Sequence, residues 1–185
     1  MKIKTLAIFS IFSILFFAGC DSKENKQSNE QAKVEQNITK NDFILNSLDG
    51  DILEIKSEEN KIHIKNYEDK IVVLNFFTTW CPACKVEIPA LIRLQNEYKN
   101  DLVVISMLLE EFKSDQEIKN FAKEFGINYK ITIGSENFDL AKSLGGIKSI
   151  PTTFIIDKQG KVYQKIQGLA PFEMMEIDIK KVLEK

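Results

Sequence analysis

The sequence has 185 residues, of which 44% are hydrophobic, enough for one packed domain with a short appendage. Its formal net charge is −2 at pH 7, and lysines and acidic residues are interspersed along the chain. The sequence therefore contains no basic stripe of the kind that binds nucleic acid.

The first twenty residues, MKIKTLAIFSIFSILFFAGC, form a separate segment. Two lysines precede an apolar run from Leu6 to Ala18, which is shorter than the ~20 residues of a membrane-spanning helix. The run ends in FAGC, which resembles a bacterial lipobox, where the chain is cut before the cysteine and that cysteine is lipidated. We predict a lipoprotein signal peptide over residues 1–19 and lipidation of Cys20. Plain secretion and an uncleaved membrane anchor are the alternatives.

A polar segment follows the predicted cleavage site. Residues 20–41 contain no aromatic residue and few aliphatic ones, so they cannot bury enough apolar surface to fold. We predict that this segment is a flexible tether and that residues 42–185 form the folded domain. With Cys20 assigned to lipid, the domain has only Cys81 and Cys84, in a compartment that permits disulfides.

The predicted strands come in three groups along the domain. Two alternating runs around Asp49 and Gly50 predict a β-hairpin, and KIHIK at 61–65 predicts a further strand. The apolar runs KIVVLNFF and DLVVISMLL predict strands buried on both faces of a sheet. KITIG predicts another strand, and two more flank the turn at Lys158-Gln159-Gly160.

The predicted helices alternate with these strands. One begins at Pro82 and includes Pro89, which should kink it. Its apolar positions approximate helical spacing: Val86, Leu91, Leu94 and Tyr98. The others are SDQEIKNFAKEFG, which opens with a capping box, a short helix near 137–144, and PFEMMEIDIKKVLEK. This order predicts an α/β fold with a mixed central sheet flanked by helices and an N-terminal hairpin extension.

The two cysteines lie where a buried strand gives way to a helix. Unpaired backbone N–H groups and the helix dipole favour an anion at that point, and cysteines so placed can have a pKa lowered into the range of roughly 3.5 to 7.5. Cys81 is therefore the candidate nucleophile. Cys84 follows three residues later, one helical turn further on, and is the candidate resolving thiol.

Two other roles for the pair find little support in the sequence. A structural disulfide closing so short a loop would constrain little of the unfolded chain. A zinc site needs about four ligands, yet the sequence has a single histidine, His63, on a predicted strand far upstream. We interpret His63 as a surface or packing residue and predict no metal site.

The segment VLNFFTTWCPACKVEIPAL resembles the active site of the thioredoxin superfamily, and specifically its TlpA/ResA-like branch of membrane-tethered thiol-disulfide oxidoreductases. The resemblance extends from about Asp42 to the C-terminus. It includes the leading hairpin, Trp80 before the cysteines, Pro89 after them, and GIKSIPTTFIID near the end. It implies a thioredoxin fold and cysteine chemistry without a cofactor.

Four residues near the cysteines take predicted roles from this resemblance. It implies that the Ile150-Pro151 bond is cis and that the backbone of Ile150 pairs with substrate beside the disulfide, with Trp80 and Thr152 in the same surface. An ordinary trans proline at a strand edge is the alternative for Pro151. A place in the core is the alternative for Trp80, the only tryptophan.

A glutamate and an asparagine complete the predicted site. The resemblance implies that Glu87 helps to protonate or deprotonate the cysteines; otherwise a glutamate in an amphipathic helix is usually solvated. Cytoplasmic thioredoxins carry a buried aspartate six residues before the first cysteine, but Asn75 occupies that position here. Asn75 cannot accept the proton, so Glu87, water or the substrate must.

We predict an extracytoplasmic, lipid-anchored thiol-disulfide oxidoreductase, on the outer face of the cytoplasmic membrane or in the periplasm. The favoured direction is reduction of protein disulfides, such as those of apocytochrome c Cys-X-X-Cys-His motifs, with electrons from a membrane thiol transporter of the CcdA/DsbD type. The Pro82-Ala83 dipeptide leaves open an oxidase like DsbA or a general periplasmic reductant. A non-enzymatic lipoprotein that binds a partner or metal is a further alternative, and related folds also reduce peroxides with differently placed cysteines.

Overall fold

The centre of the fold is a sheet of parallel and antiparallel strands, seen in a computed structural model that describes residues 41–59 and 61–184. The eight strands are β1 (Asp42–Ser47), β2 (Ile52–Glu58), β3 (Lys61–Ile64), β4 (Ile71–Phe77), β5 (Leu102–Leu108), β6 (Lys130–Ile133), β7 (Thr152–Ile156) and β8 (Val162–Gln167). The described residues form four helices, which are α1 (Pro82–Glu97), α2 (Asp115–Glu124), α3 (Glu136–Ser143) and α4 (Phe172–Leu183). The predicted signal peptide and nearly all of the predicted tether lie outside the described residues.

The strand order is β3-β2-β1-β6-β5-β4-β7-β8. Strands β4, β5 and β6 are parallel, and β7 is antiparallel to β4. Every residue of β4, β5 and β7 is buried, as the continuous apolar sequences of β4 and β5 predicted. The mixed sheet, its flanking helices and the N-terminal hairpin are therefore all confirmed.

Each face of the central strands is covered by a different set of elements. Helices α1 and α4 pack on one face through a cluster that includes Leu91, Leu94, Met175 and Ile179. The other face is covered by α3 and by β1 to β3, which share a second cluster with β4, β5 and β7. A bridge between Lys61 and Lys161 joins the start of β3 to the turn between β7 and β8.

The N-terminal hairpin forms as its sequence predicted. Its strands alternate strictly between exposed and buried residues, and Gly50 adopts a positive φ of 94° in the turn. The buried face contributes four apolar residues to the same cluster, while the exposed face is polar apart from Ile44 and Ile52.

Helix α1 differs from its prediction in the face that it buries. Val86, predicted to be part of the apolar face, is 64% exposed, whereas Cys84, Glu87, Ile88, Leu91 and Leu94 are buried. The prediction for Val86 was wrong because the buried face of the helix is the one that carries Cys84 and Glu87, and Val86 lies outside it. The helix continues through Pro89 to Glu97.

Among the described residues, no helix is both long enough and apolar enough to cross a membrane.

Candidate active site

The cysteine pair lies at the carboxyl end of β4, where α1 begins. Cys81 and Cys84 form a disulfide, and both are buried. Cys81 is the N-cap residue of α1, and the backbone N–H of Cys84 donates a hydrogen bond to its sulfur at 3.1 Å. The unpaired N–H groups of the first helical turn therefore face the sulfur of Cys81, where they favour negative charge after reduction.

A loop from the other side of β4 reaches the same disulfide. The sulfur of Cys81 lies 3.8 Å from the carbonyl oxygen of Ile150, and the Ile150-Pro151 peptide bond is cis. The expectation of a cis bond is confirmed. Trp80, immediately before the pair, is 69% exposed, so an aromatic surface lies beside the sulfurs. The structure thus brings together two pairs of residues, Trp80-Cys81 and Ile150-Pro151, that are far apart in the sequence.

Thr152 has a different environment from these neighbours. It is fully buried, and its hydroxyl donates a hydrogen bond to the carbonyl oxygen of Ser149 at 2.7 Å. The side chain holds the loop that contains Ile150 and Pro151, and it does not face solvent.

Glu87 lies one turn of α1 beyond Cys84, on the same side of the helix. Its side chain is only 1% exposed, so it is not a solvated residue of an amphipathic helix. Oε1 accepts a hydrogen bond from the backbone N–H of Ala170 at 2.9 Å, and Oε2 accepts one from Nδ2 of Asn75 at 2.7 Å. Both carboxyl oxygens are therefore fixed, which holds the group in one position beneath the cysteines.

Burial raises the pKa of Glu87 from 4.5 to about 7. The hydrogen bonds from Ala170, Asn75 and Thr153 favour the charged form and oppose this shift, but desolvation outweighs them. A carboxyl group with such a pKa exchanges protons readily near neutral pH, as a general acid or base must.

Asn75 joins Glu87 to a row of polar residues across the centre of the sheet. Ser106 on β5 and Thr153 on β7 are its direct neighbours in register. Its Nδ2 also donates to the hydroxyl of Thr153 at 2.9 Å, and its Oδ1 accepts from the hydroxyl of Ser106 at 3.2 Å. Because both ends of the amide are engaged, Nδ2 is directed at Glu87.

Sequence reasoning excluded Asn75 as a proton acceptor but missed its role as a donor to Glu87. It also missed Ser106, Thr153 and the N–H of Ala170. Asn75 and Ser106 are single polar residues inside continuously apolar strands, a pattern that indicates a buried hydrogen bond because an unpaired polar group there is costly. The contribution of Ala170 comes from backbone, which no side-chain pattern reveals.

The arrangement combines a sulfur pair beside the exposed Trp80 with a buried, hydrogen-bonded carboxyl group. This is what thiol-disulfide exchange requires: an attacking thiol, a resolving thiol and a group that moves their protons. In residues 41–59 and 61–184, no three histidine, cysteine or acidic residues are grouped so that they could hold a metal ion.

Comparisons with known proteins agree with this chemistry. The family model described as AhpC/TSA matches residues 40–165. A protein named thiol-disulfide oxidoreductase ResA from Bacillus cereus is 30% identical over 97% of this chain and 98% of its own length. Another ResA, from Bacillus thuringiensis subsp. konkukian, is 37% identical over 68% of this chain and 70% of its own.

A solved structure shows the same fold. The pneumococcal exposed lipoprotein thioredoxin Etrx1, from Streptococcus pneumoniae, superposes with a TM-score of 0.60 at 26% identity. The match covers 76% of this chain and 98% of that one. The chain has a thioredoxin-like fold and belongs to the AhpC/TSA family, as a thiol-disulfide oxidoreductase related to ResA.

Proposed function

We propose that this enzyme reduces protein disulfides outside the cytoplasm, with the Cys-X-X-Cys-His motif of apocytochrome c as the favoured substrate. The proposal rests on the burial of Glu87 one helical turn beyond Cys84. Hydrogen bonds from Asn75 and Ala170 hold its carboxyl group there. The relatives named ResA support it, because the sequence match to one of them extends over nearly the whole chain.

The proposed cycle starts from the reduced enzyme. The thiolate of Cys81 attacks one sulfur of the substrate disulfide, forming a mixed disulfide and releasing the other substrate sulfur as a thiolate. Glu87 takes the proton of the Cys84 thiol, and the Cys84 thiolate attacks the sulfur of Cys81. The second substrate thiolate leaves, both substrate sulfurs acquire protons from water, and the enzyme retains the Cys81–Cys84 disulfide.

The substrate would lie across Trp80 and the Ile150-Pro151 loop. Proline has no backbone N–H, and the Ile150 carbonyl already faces the sulfur of Cys81 at 3.8 Å. An extended polypeptide pairing with the backbone of Ile150 would therefore present its disulfide to Cys81. Thr152 supports this surface from below through its hydrogen bond to Ser149.

The Cys81–Cys84 disulfide that the cycle leaves must be reduced again, and we propose that a membrane thiol transporter of the CcdA/DsbD type reduces it.

Lipidation of Cys20 would keep the enzyme at the membrane surface near that donor, with residues 20–41 as the tether. The solved relative described as an exposed lipoprotein thioredoxin supports this location for the present chain. Metabolic labelling with a fatty-acid analogue should mark the wild type and fail to mark Cys20→Ser.

The reduction potential tests the direction of electron flow. Thioredoxin lies near −270 mV and DsbA near −120 mV. Equilibration of the purified protein with glutathione buffers should give a value on the thioredoxin side of this range. A potential close to that of DsbA would contradict the reductase assignment and favour the oxidase alternative.

Two cysteine variants test the order of the steps. Cys81→Ser should abolish reduction of insulin and of an oxidised apocytochrome c peptide. Cys84→Ser should accumulate a mixed disulfide with the peptide, visible by mass spectrometry. If Cys81→Ser instead accumulates a mixed disulfide through Cys84, and Cys84→Ser accumulates none, the roles assigned to the two cysteines are reversed.

A further inference from the structure

A second groove lies at the same edge of the sheet as the disulfide. Strand β5 leads to α2, whose Ile118 and Phe121 pack with the cysteines on the α1 face, whereas β6 leads to α3, which packs on the opposite face. The loops after these adjacent parallel strands therefore diverge. Such a switch point leaves a crevice beyond the carboxyl ends of the strands, the usual place for ligands in sheets of this kind.

This switch-point crevice is an open groove of about 720 Å³. Its apolar lining comes from both sides of the sheet edge: Leu108, Phe112, Ile118, Ile133 and Phe138. Three carboxylates and one lysine also line it: Glu110, Glu111, Asp115 and Lys113. The crevice thus has an apolar wall and an excess of negative charge.

Phe112 is the most unusual residue of the crevice. Its side chain is 100% exposed, and its φ of 66° lies in the left-handed region, where a bulky residue is rarely found. Backbone outliers of this kind are concentrated at binding sites, because elsewhere nothing compensates for their strain. An aromatic ring that contacts solvent on all sides gains free energy when a ligand covers it.

The crevice is continuous with the redox site. The hydroxyl of Thr79, two residues before Cys81, donates a hydrogen bond to Oε2 of Glu110 at 2.8 Å. Leu108 and Ile118, in the crevice wall, belong to the same apolar cluster as both cysteines. Strand β4, which leads to the disulfide, has β5 on one side and β7 on the other, so the crevice and the Ile150-Pro151 loop flank the disulfide from opposite sides.

We propose that this crevice is a second docking site for the polypeptide substrate, and that it takes a segment in which an apolar side chain is flanked by lysine or arginine. The inference rests on the proposed reduction of protein disulfides. The apolar wall selects the central side chain, and the carboxylates select its basic neighbours. A polypeptide crossing the disulfide from the Ile150-Pro151 side would reach the crevice on the other side.

Binding of cysteine-free peptides to the oxidised full-length protein tests the crevice independently of redox chemistry. Fluorescence anisotropy would compare labelled peptides that are identical except for a central Lys-Leu-Lys, Lys-Ser-Lys or Glu-Leu-Glu. The Lys-Leu-Lys peptide should bind about tenfold more tightly than either of the others. Equal affinities for the three peptides would overturn the proposal.

A double variant, Phe112→Asn with Glu111→Lys, locates the binding. Asparagine tolerates the left-handed backbone, so the loop keeps its conformation. Affinity for the Lys-Leu-Lys peptide should fall at least about fivefold. Glu124→Lys is the matched control, because Glu124 is an exposed glutamate at the far end of α2. An equal loss in the control would show that the effect is a general charge effect, and the proposal would fail.

Kinetics separate this proposal from the proposed function. A disulfide peptide with a Lys-Leu-Lys extension should be reduced with a higher kcat/KM than the same peptide without it, and the double variant should lose this preference. Reduction of both peptides at equal rates would leave the proposed function intact and refute the docking site. Binding without reduction of either peptide would support docking and refute the reductase.

Discussion

Glu87 links the redox site to the stability of the fold. Its pKa is about 7 in the folded protein because of burial, against 4.5 for an exposed glutamate. The folded state therefore holds a proton that the unfolded chain has lost between these values, and stability falls as the pH rises through them. The shift corresponds to about 3 kcal/mol.

Glu87→Gln removes this titration. Between about pH 4.5 and 8, the free energy of unfolding of the oxidised wild type should fall by about 3 kcal/mol more than that of the variant. The variant lacks this loss because glutamine stays neutral throughout. Urea denaturation of both proteins at the two pH values measures the difference. Identical pH dependence would show that Glu87 is not the group responsible. The variant should also resolve mixed disulfides more slowly, because Cys84 loses the proton acceptor that we propose for it.

Asn75→Asp places a second carboxyl group against the first. Nδ2 of Asn75 lies 2.7 Å from Oε2 of Glu87, so the two acids would have to share a proton. We expect a loss of about 3 kcal/mol of stability at about pH 8 and a smaller loss at about pH 5, where the pair keeps its proton. Thermal denaturation at both pH values measures this.

The exchange variant Asn75→Asp with Glu87→Gln is the control for that experiment. It keeps one amide and one carboxyl group in contact, with the donor and the acceptor exchanged. Most of the lost stability should return. If the double variant loses as much stability as the two single variants together, the hydrogen bond between residues 75 and 87 does not stabilise the protein.

At the level of elements, the contact between β3 and the β7–β8 turn fixes the N-terminal hairpin to the central sheet. The backbone N–H of Ile62 donates to the carbonyl oxygen of Gly160 at 2.7 Å, and Gly160 has a positive φ of 77°. A Cβ atom at this position would lie 2.7 Å from Cε1 of His63 and 3.1 Å from the carbonyl oxygen of Ile62. His63 is therefore a packing residue, as its sequence context indicated.

Gly160→Ala should destabilise the protein by about 1 to 3 kcal/mol, because it adds backbone strain and a contact with His63. The double variant Gly160→Ala with His63→Ala lacks the imidazole ring, so only the backbone strain persists. It should therefore regain part of the stability that Gly160→Ala loses. Chemical denaturation of the four proteins in this cycle gives the coupling. Additive effects would indicate that the hairpin does not pack against the turn as described.

Local patterns predicted the elements better than they predicted the site. The hairpin, the capping box at Ser114 and the buried strands follow from residue spacing, and Ser114 forms both hydrogen bonds of that box. The polar contacts of Glu87 come from β4, β7 and the loop before α4, which no local pattern brings together. Burial of a charged residue is decided by tertiary packing, so helical spacing selected Val86 where the structure buries Glu87.

At the scale of the whole molecule, helix α4 covers part of one face of the central sheet. The matched family model ends at residue 165, yet α4 lies beyond it and supplies Phe172, Met175, Ile179 and Val182 to the core. The loop before α4 also supplies the Ala170 N–H that binds Glu87. The C-terminal residues should therefore be needed for both stability and redox chemistry.

Two fragments test this requirement. A fragment of residues 41–185 should fold with the melting temperature and reduction potential of the full-length chain, because it keeps the sheet, the helices and the contacts of Glu87. A fragment of residues 41–168 should fail to fold cooperatively, because the loss of α4 exposes an apolar cluster on one face of the sheet. Circular dichroism melting and glutathione equilibration would measure both properties. Cooperative folding of the shorter fragment would show that α4 is dispensable for the core, and an altered potential in the longer one would show that residues 1–40 influence the active site.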